Sequence, residues 1–454
     1  MKIKNLVLAG LFVIGMASCG SDDIIDGPNV GNPLDGYLSL TINSGTMNPA
    51  TRTAAHNGTE AGVGDENKIN SVTVVLTDGS GVIKQVEDVA IASGTTTQKF
   101  PVSTGSYLVY ALVNKPTALS MTVGGNINQE LNGATVDDIT KGFMNGSFFM
   151  TNEQSELDKT YLDAGVALTL NAGDEVVVPV KVDRLAAKVR NKTTDTSLSG
   201  QLNESSVEAI FNEVKVTGFV PMNLNPSVNI IQTWGKKNAE EAADLANSVL
   251  LTPVNPVGGY LLPSSTYKTM EDGVGVADLT VDADYVDSVY VSENRPTIKI
   301  NSNGVVTAAE QGQTTAVIFR VVALKDNNPV GTFYAYNDIA YADLASLPSA
   351  LGDLSGKTNA DLRKMGIHVY ENGVMYYTYF IKDPNSKYQL DGENYYGVFR
   401  NSIYNLNVKT ISKLGDDVPD NGENPTNPVD PEDAKISVEL TINDWVLNDI
   451  DIEF

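Results

Sequence analysis

Tyr37-Leu38-Ser39-Leu40-Thr41-Ile42 and Ile436-Ser437-Val438-Glu439-Leu440-Thr441-Ile442 stand at opposite ends of the chain and carry the same pattern. Apolar residues take every second position, and Ser, Thr or Glu fill the places between. Successive side chains of a strand point to opposite faces, so this alternation marks a strand with one face buried. Leu38, Leu40 and Ile42 form one ridge; Ile436, Val438, Leu440 and Ile442 form the other. Polar sequence sets both ridges apart. Residues 20–36 and 43–67 flank the first and are rich in Gly, Asp and Asn, which reads as tether and loop. Residues 415–433 precede the second; they are acidic and rich in Pro and Asn, and read as an extended, solvated linker.

Further strands follow outward from these ends. Val72, Val74 and Leu76 alternate, Gly105–Val113 is a run of strand formers, and Val176, Val178, Val180 and Val182 share a face. Pro179, on the opposite face, hints at an edge or a bulge. Ala316–Ala323 reads as a buried strand, followed by Val374–Ile381 and Ser402–Val408. Helical patterns are few and short, the best being Ala239–Leu250 and Asn359–Met365. Many short strands between Gly, Asn and Asp turns predict an all-β sandwich architecture. The segment Arg184-Leu185-Ala186-Ala187-Lys188-Val189 directly follows a strand, and a domain junction is placed near residue 183. This divides the chain into an N-terminal sandwich, 53–183, and a C-terminal sandwich, 184–414, with 415–454 as linker and last strand.

Composition narrows the chemistry. The 454 residues carry 31 basic and 56 acidic side chains, a net charge of −25, which argues against nucleic acid as a partner. One cysteine and two histidines, His56 and His368, leave no material for soft-metal sites or for Cys–His and Ser–His–Asp catalysis. With so many acids some carboxylate pair always looks possible, so that signal has no weight. The acids of the linker, Asp416, Asp417, Asp420, Glu423, Asp430, Glu432 and Asp433, lack the spacing of a calcium loop. No catalytic residue, metal ligand or cofactor is assigned, and the expectation is a protein that is not an enzyme. Eight of nineteen tyrosines fall within 370–404: Tyr370, Tyr376, Tyr377, Tyr379, Tyr388, Tyr395, Tyr396 and Tyr404. They suit an adhesive surface or, as the plainer and preferred reading, cross-strand packing.

The start of the chain reads as an address. Lys2 and Lys4 precede an apolar stretch, Leu6–Met16, too short to span a bilayer. Met16-Ala17-Ser18-Cys19 then resembles a bacterial lipobox, which implies removal of residues 1–18 and acylation of Cys19. The plainer alternative is a free cysteine in an ordinary signal peptide. Between Cys19 and Asn67 the only basic residue is Arg52, in the small-residue loop Pro49-Ala50-Thr51-Arg52-Thr53-Ala54-Ala55. Cleavage between Arg52 and Thr53 would release residues 19–52, a propeptide holding both the lipid and the first strand. The groove left behind would be an open edge, which attracts a strand from another molecule. The terminal strand is the natural donor, and such exchange is head-to-tail and grows a filament. The alternative is that residues 37–42 form a permanent edge strand and residues 436–442 pair within their own domain.

Several strings in this order resemble the fimbrillins of Bacteroidales, with the closest likeness to the shaft subunit of the Mfa-type minor fimbrium. They are the lipobox, the lone Arg52, Asp65-Glu66-Asn67-Lys68-Ile69, Phe148-Phe149-Met150-Thr151, Arg184-Leu185-Ala186-Ala187-Lys188-Val189, Phe399-Arg400-Asn401-Ser402-Ile403-Tyr404, Ile411-Ser412-Lys413-Leu414-Gly415 and Thr441-Ile442-Asn443-Asp444-Trp445. The resemblance is weaker over 195–370. It implies two tandem transthyretin-like β-sandwich domains, secretion as an outer-membrane lipoprotein precursor, and display in a cell-surface fimbrium that supports adhesion. By position it makes Cys19 the lipidated residue and Arg52–Thr53 the bond cut by an Arg-specific protease. Leu38, Leu40 and Ile42 become the removable strand, and Ile436, Val438, Leu440 and Ile442 the donor. Identical subunits in a head-to-tail polymer and fimbrial accessory subunits are the implied partners. Two other readings compete: a monomeric glycan-binding surface lipoprotein, motivated by the tyrosines, and a tip or anchor component of the same fimbrium.

Overall fold

The computed structural model describes residues 34–44, 56–131, 135–136, 148–154, 161–193, 205–225, 228–232, 288–294, 298–300, 306–309, 311–383, 396–418 and 435–446. Cys19, Arg52, Thr53, Tyr395 and the expected helix 239–250 lie outside these residues.

The chain is all-β. Ten described strands join in a first sheet, organised around Gly105–Val113. That strand pairs antiparallel with Val72–Thr77 on one side and with Met150–Asn152 and Val166–Leu170 on the other. Val72–Thr77 is buried at every position. Val72, Val74 and Leu76 face the main core, while Val75 faces a second cluster with Ile127, Leu131, Phe149, Leu185, Ile230 and Ile231. Helices are short: the α-helices among the described residues are Ile127–Leu131, Ser205–Glu208 and Asn359–Lys364. The last agrees with the sequence expectation, and its start is set by a capping box in which Thr358 and Asp361 each bond the other's backbone N–H.

Glu175–Arg184 is the strand through which the two halves communicate. Val182–Arg184 pair with Met150–Asn152, and along Glu175–Lys181 the ladder partner among the described residues is the first strand, Gly36–Ser44. Among the described residues Pro179 has a ladder partner on one side only, where its missing N–H need break no ladder bond. The chain then runs through the fully buried Leu185 into Ala186–Asn191, which belongs to the second sheet. That sheet has the order Ser288–Ser292, Ala186–Asn191, Ser402–Ile411, Ile436–Val446, His56–Ala61. Against it packs a third sheet of Glu213–Met222, Ala316–Lys325 and Val374–Phe380. One continuous apolar core runs from Leu38 and Leu40 in the first sheet to Ile403, Leu406 and Ile442 in the second.

Two sequence expectations change here. Residues 43–67, read as loop, contain the strand His56–Ala61 and a single turn of 3₁₀ helix, Gly64–Asn67. Asp416 and Asp417, read as solvated linker, are buried. Asp416 exchanges backbone hydrogen bonds with Tyr376 and pairs with Lys435 at 2.6 Å. Asp417 accepts from Arg363 at 2.6 Å, from the Val369 N–H at 2.8 Å and pairs with His368 at 3.0 Å. Lys435 and Arg363 offset their charges, with His368 beside Asp417, and all three approach from other segments, which local composition could not show.

Candidate functional site: two seated strands and the junction between them

The first strand lies between neighbours, not at an edge. Tyr37 to Ser44 run parallel to Glu175 to Val182, and on the other side Gly36–Leu38 pair antiparallel with Phe100–Val102 and Thr41 with Thr96. Further bonds complete the seat. Thr97 Oγ1 accepts from the Leu40 N–H at 2.9 Å, Thr95 O accepts from the Ile42 N–H at 3.0 Å, and Asp174 O accepts from the Tyr37 N–H at 2.8 Å. Leu38, Leu40 and Ile42 are 0%, 0% and 1% exposed. Burying three such side chains is worth roughly 5–9 kcal/mol in all. Without this strand, the facing row Val176–Val182 would lose its ladder partner, and the core around Phe100, Val102 and Leu170 would open.

One end of this seat is closed. A side chain at Gly36 would place its Cβ 2.7 Å from Cδ2 of Leu170, itself buried in the core. The other residues of the same face, Leu38, Leu40 and Ile42, have room for large side chains. Nothing in the sequence pattern marks Gly36 as a stop, because glycine there reads as part of the preceding tether.

The terminal strand, Ile436–Val446, is also seated. It pairs antiparallel with Ser402–Ile411 from Ile411↔Ile436 to Ser402↔Asp444, and parallel with His56–Ala61 on its other side. Ile436 and Ile442 are buried, and Val438 and Leu440 pack half-buried on the same core. This departs from the expectation of a strand isolated on its linker. The alternating ridge of Ser402–Ile411, with Tyr404, Leu406 and Val408 paired to Ile442, Leu440 and Val438, supplies a complementary ladder in the chain's own second sheet.

His56–Ala61 is fastened from its side chains. Glu60 is held bidentately by Arg190, which donates a third bond to Asn405 Oδ1 at 2.8 Å, and Asn443 of the terminal strand donates to Glu60 at 3.2 Å. The Arg190 hydrogen bond outweighs burial and keeps the Glu60 carboxyl below its usual range. Lys192, Asn407, Glu439 and Thr441 extend this into a polar cleft on the outer face of the sheet. Sequence reasoning missed this arrangement because His56-Asn57-Gly58-Thr59-Glu60-Ala61 has no apolar ridge; backbone ladder and one ion pair hold it.

Four of the landmark strings converge at the junction of the two sheets. Glu66 meets Lys188 at 2.6 Å and accepts from Tyr290 Oη at 2.6 Å, with both charged side chains buried. Burial opposes charge on Glu66, yet the bonds from Lys188, Tyr290 and the Val63 N–H hold its carboxyl below the usual range. Arg184 donates to Glu66 O, Asn67 Oδ1 and Asn401 Oδ1 at 3.0, 3.0 and 3.1 Å, and burial brings its pKa down to about 10. Asn401 donates to Asp183 at 2.9 Å. Arg400 reaches Glu293 at 3.0 Å and Ile230 O at 2.9 Å, and both ionic side chains are fully buried. Phe148 stacks edge-on against Tyr290. The strings around Glu66, Phe148, Arg184 and Arg400 thus belong to one construction, which fixes the chain where it crosses between sheets. It is built of paired charges and packed rings.

Four of the described tyrosines take the packing role. Tyr370, Tyr377, Tyr396 and Tyr404 are buried. Tyr370 donates to Gly415 O and Tyr377 to Lys413 O, each at 3.0 Å, while Tyr404 donates to Asp383 at 2.7 Å. His368 lies in a short strand, His368–Tyr370, with its ring half exposed beside Asp417.

Comparison with known proteins gives two family matches. Residues 37–216 match the model of the major fimbrial subunit protein FimA, and residues 368–451 match the C-terminal model of the type IV major fimbrial subunit, fimbrillin. The first begins at the first strand, and the second contains the terminal one. No curated protein matches. Among solved structures, a fimbrilin of Porphyromonas gingivalis is 16% identical over 91% of this chain and 98% of its own, with a TM-score of 0.46. A fimbrial assembly protein of Parabacteroides distasonis is 13% identical over 89% and 98%, with a TM-score of 0.36. The tip fimbrial protein Mfa3 of Porphyromonas gingivalis is 15% identical over 90% and 100%, with a TM-score of 0.34. At these values the structural likenesses decide nothing further.

Proposed function

The chain belongs to the fimbrillin family of fimbrial subunits, and from that premise we propose that it is a structural, non-enzymatic subunit of a cell-surface fimbrium. It is exported as an outer-membrane lipoprotein precursor acylated at Cys19. It is cut between Arg52 and Thr53 by an Arg-specific protease, and it polymerises head-to-tail by donor-strand exchange to support adhesion, alongside accessory subunits. The observation that carries this reading is the place of the first strand. Gly36–Ser44 fills an interior position of the first sheet, yet the next described strand, His56–Ala61, belongs to the second sheet. Residues 45–55, which include Arg52, are all that join the two. A single cut there disconnects the first strand from everything else in the molecule. The slot it leaves is lined by apolar side chains and unpaired backbone, and a period-2 strand from another copy restores both.

The test is the N-terminus of the polymer. Chains in surface filaments are expected to begin at Thr53, and Arg52→Ala is expected to leave unassembled precursor. Filaments whose chains retain residues 37–42 would overturn the proposal.

A further inference from the structure

We infer that Leu170 is an end stop that fixes the register of the incoming strand: the neighbour's Ile436, Val438, Leu440 and Ile442 fill the seats of Leu38, Leu40, Ile42 and Ser44, and the seat of Gly36 stays empty. This rests on the exchange reading above and adds to it a specific geometry.

The mismatch that requires a register is one of counting. The first strand brings three apolar side chains to its buried face, with Gly36 before them and Ser44 after. The terminal strand brings four, at 436, 438, 440 and 442. Keeping to the core face, four ridge residues can cover positions 36–42 or positions 38–44. At position 36 even a Cβ falls 2.7 Å from Leu170 Cδ2 and 3.0 Å from its Cγ, with Asn171 O only 3.4 Å away. Leu170 is buried and packed, so an isoleucine there would have to displace core. At the other end, Ser44 pairs with Val182, which is buried in the same apolar cluster. A fourth aliphatic side chain is excluded from the first seat and gains an apolar neighbour at the last. In this register a donor places four aliphatic side chains along a slot where the strand it replaces places three.

The outward-facing residues report the register whichever way the donor runs. Ser39 is the register partner of Val177, and Val177 is exposed. With positions 38–44 filled, Ser437 takes the place of Ser39 if the donor runs in the direction of the first strand, and Thr441 takes it if the donor runs in reverse. With positions 36–42 filled, Glu439 takes that place in both directions. Adjacent strands bring partner Cα atoms to about 5 Å, within the span of a disulfide.

The experiment uses the full chain, expressed on cells and assembled into surface polymer, with Val177→Cys combined in turn with Ser437→Cys, Glu439→Cys or Thr441→Cys. The chain's one native cysteine, Cys19, leaves with the propeptide, so the introduced thiols stand alone. After mild oxidation, intermolecular cross-links are expected with Ser437→Cys or Thr441→Cys, exceeding those with Glu439→Cys by about tenfold or more. Adding Leu170→Ala should open the first seat and raise the Glu439→Cys cross-link. Predominance of the Glu439→Cys cross-link in the unaltered slot, or indifference of the pattern to Leu170→Ala, would overturn the end stop while leaving exchange intact. Polymer that forms with none of the three cross-links would instead overturn the terminal strand as occupant of the slot, and the exchange reading with it.

Discussion

Leu40 shows what one residue contributes here. It is fully buried, its N–H is bonded to Thr97, and it is flanked on its own face by Leu38 and Ile42. Leu40→Ala is expected to destabilise the precursor by about 2–5 kcal/mol. Urea denaturation should show that loss in the uncut chain and none in the chain beginning at Thr53, which no longer contains the residue. Glu293 makes a different point. Its partner Arg400 is equally buried, so Glu293→Ala strands a guanidinium in the core and should cost about 3–5 kcal/mol, read as a lower urea midpoint. Asp417 and His368 set the response to pH. The His368 hydrogen bond, the Val369 N–H and Arg363 overcome burial and bring Asp417 to about 2. That contribution is complete above the ordinary value of 3.8 and fades as pH falls towards 2. The bond to Asp417 raises His368 above 6.5, so its contribution is complete below 6.5 and is lost as pH rises through the raised value. Stability measured from pH 5 to 9 should decline on the alkaline side, and His368→Gln should flatten that decline.

At the scale of elements, the seating of the terminal strand changes how exchange must proceed. Donation requires this strand to leave both Ser402–Ile411 and His56–Ala61. Glu60→Gln weakens the hold of Arg190 on the second of these, and filament growth after cleavage is expected to be faster in this variant, with the cleavage rate unchanged; light scattering and gel analysis of the cut chain separate the two. Alternation in sequence was enough to locate Gly36–Ser44, Glu175–Arg184 and Ile436–Val446, because each buries a period-2 ridge, while a nearly continuous apolar run located Ala316–Lys325. It was silent about His56–Ala61, whose place depends on a backbone ladder and on Glu60 meeting an arginine 130 positions away. It also could not show that the terminal ridge is already covered at home, since a ridge specifies a groove without saying whose groove.

On the scale of the whole molecule, four of the strings that suggested a family fall together at the crossing between sheets. Asp65-Glu66-Asn67, Arg184 to Val189 and Phe399-Arg400-Asn401 are short and dispersed in sequence, and only folding reveals that Arg184 bonds to both Glu66 and Asn401. Their charges are costly to bury singly and acceptable as a satisfied set. Of the candidate site the two ridges were therefore legible, while Arg52 lies outside the described residues. The end stop at Leu170 and the fastening through Glu60 and Arg190 were not legible, because both are contacts between residues more than a hundred positions apart.

The side-by-side arrangement of Gly36–Ser44 and Glu175–Val182 has a mechanical corollary. Tension applied along the axis of a strand in that slot loads its eight paired positions in shear, so they must fail together. Tension applied across the slot would peel them one at a time. A fibre whose links lie lengthwise in such slots resists drag from flowing liquid with the strength of the whole ladder rather than of its weakest rung.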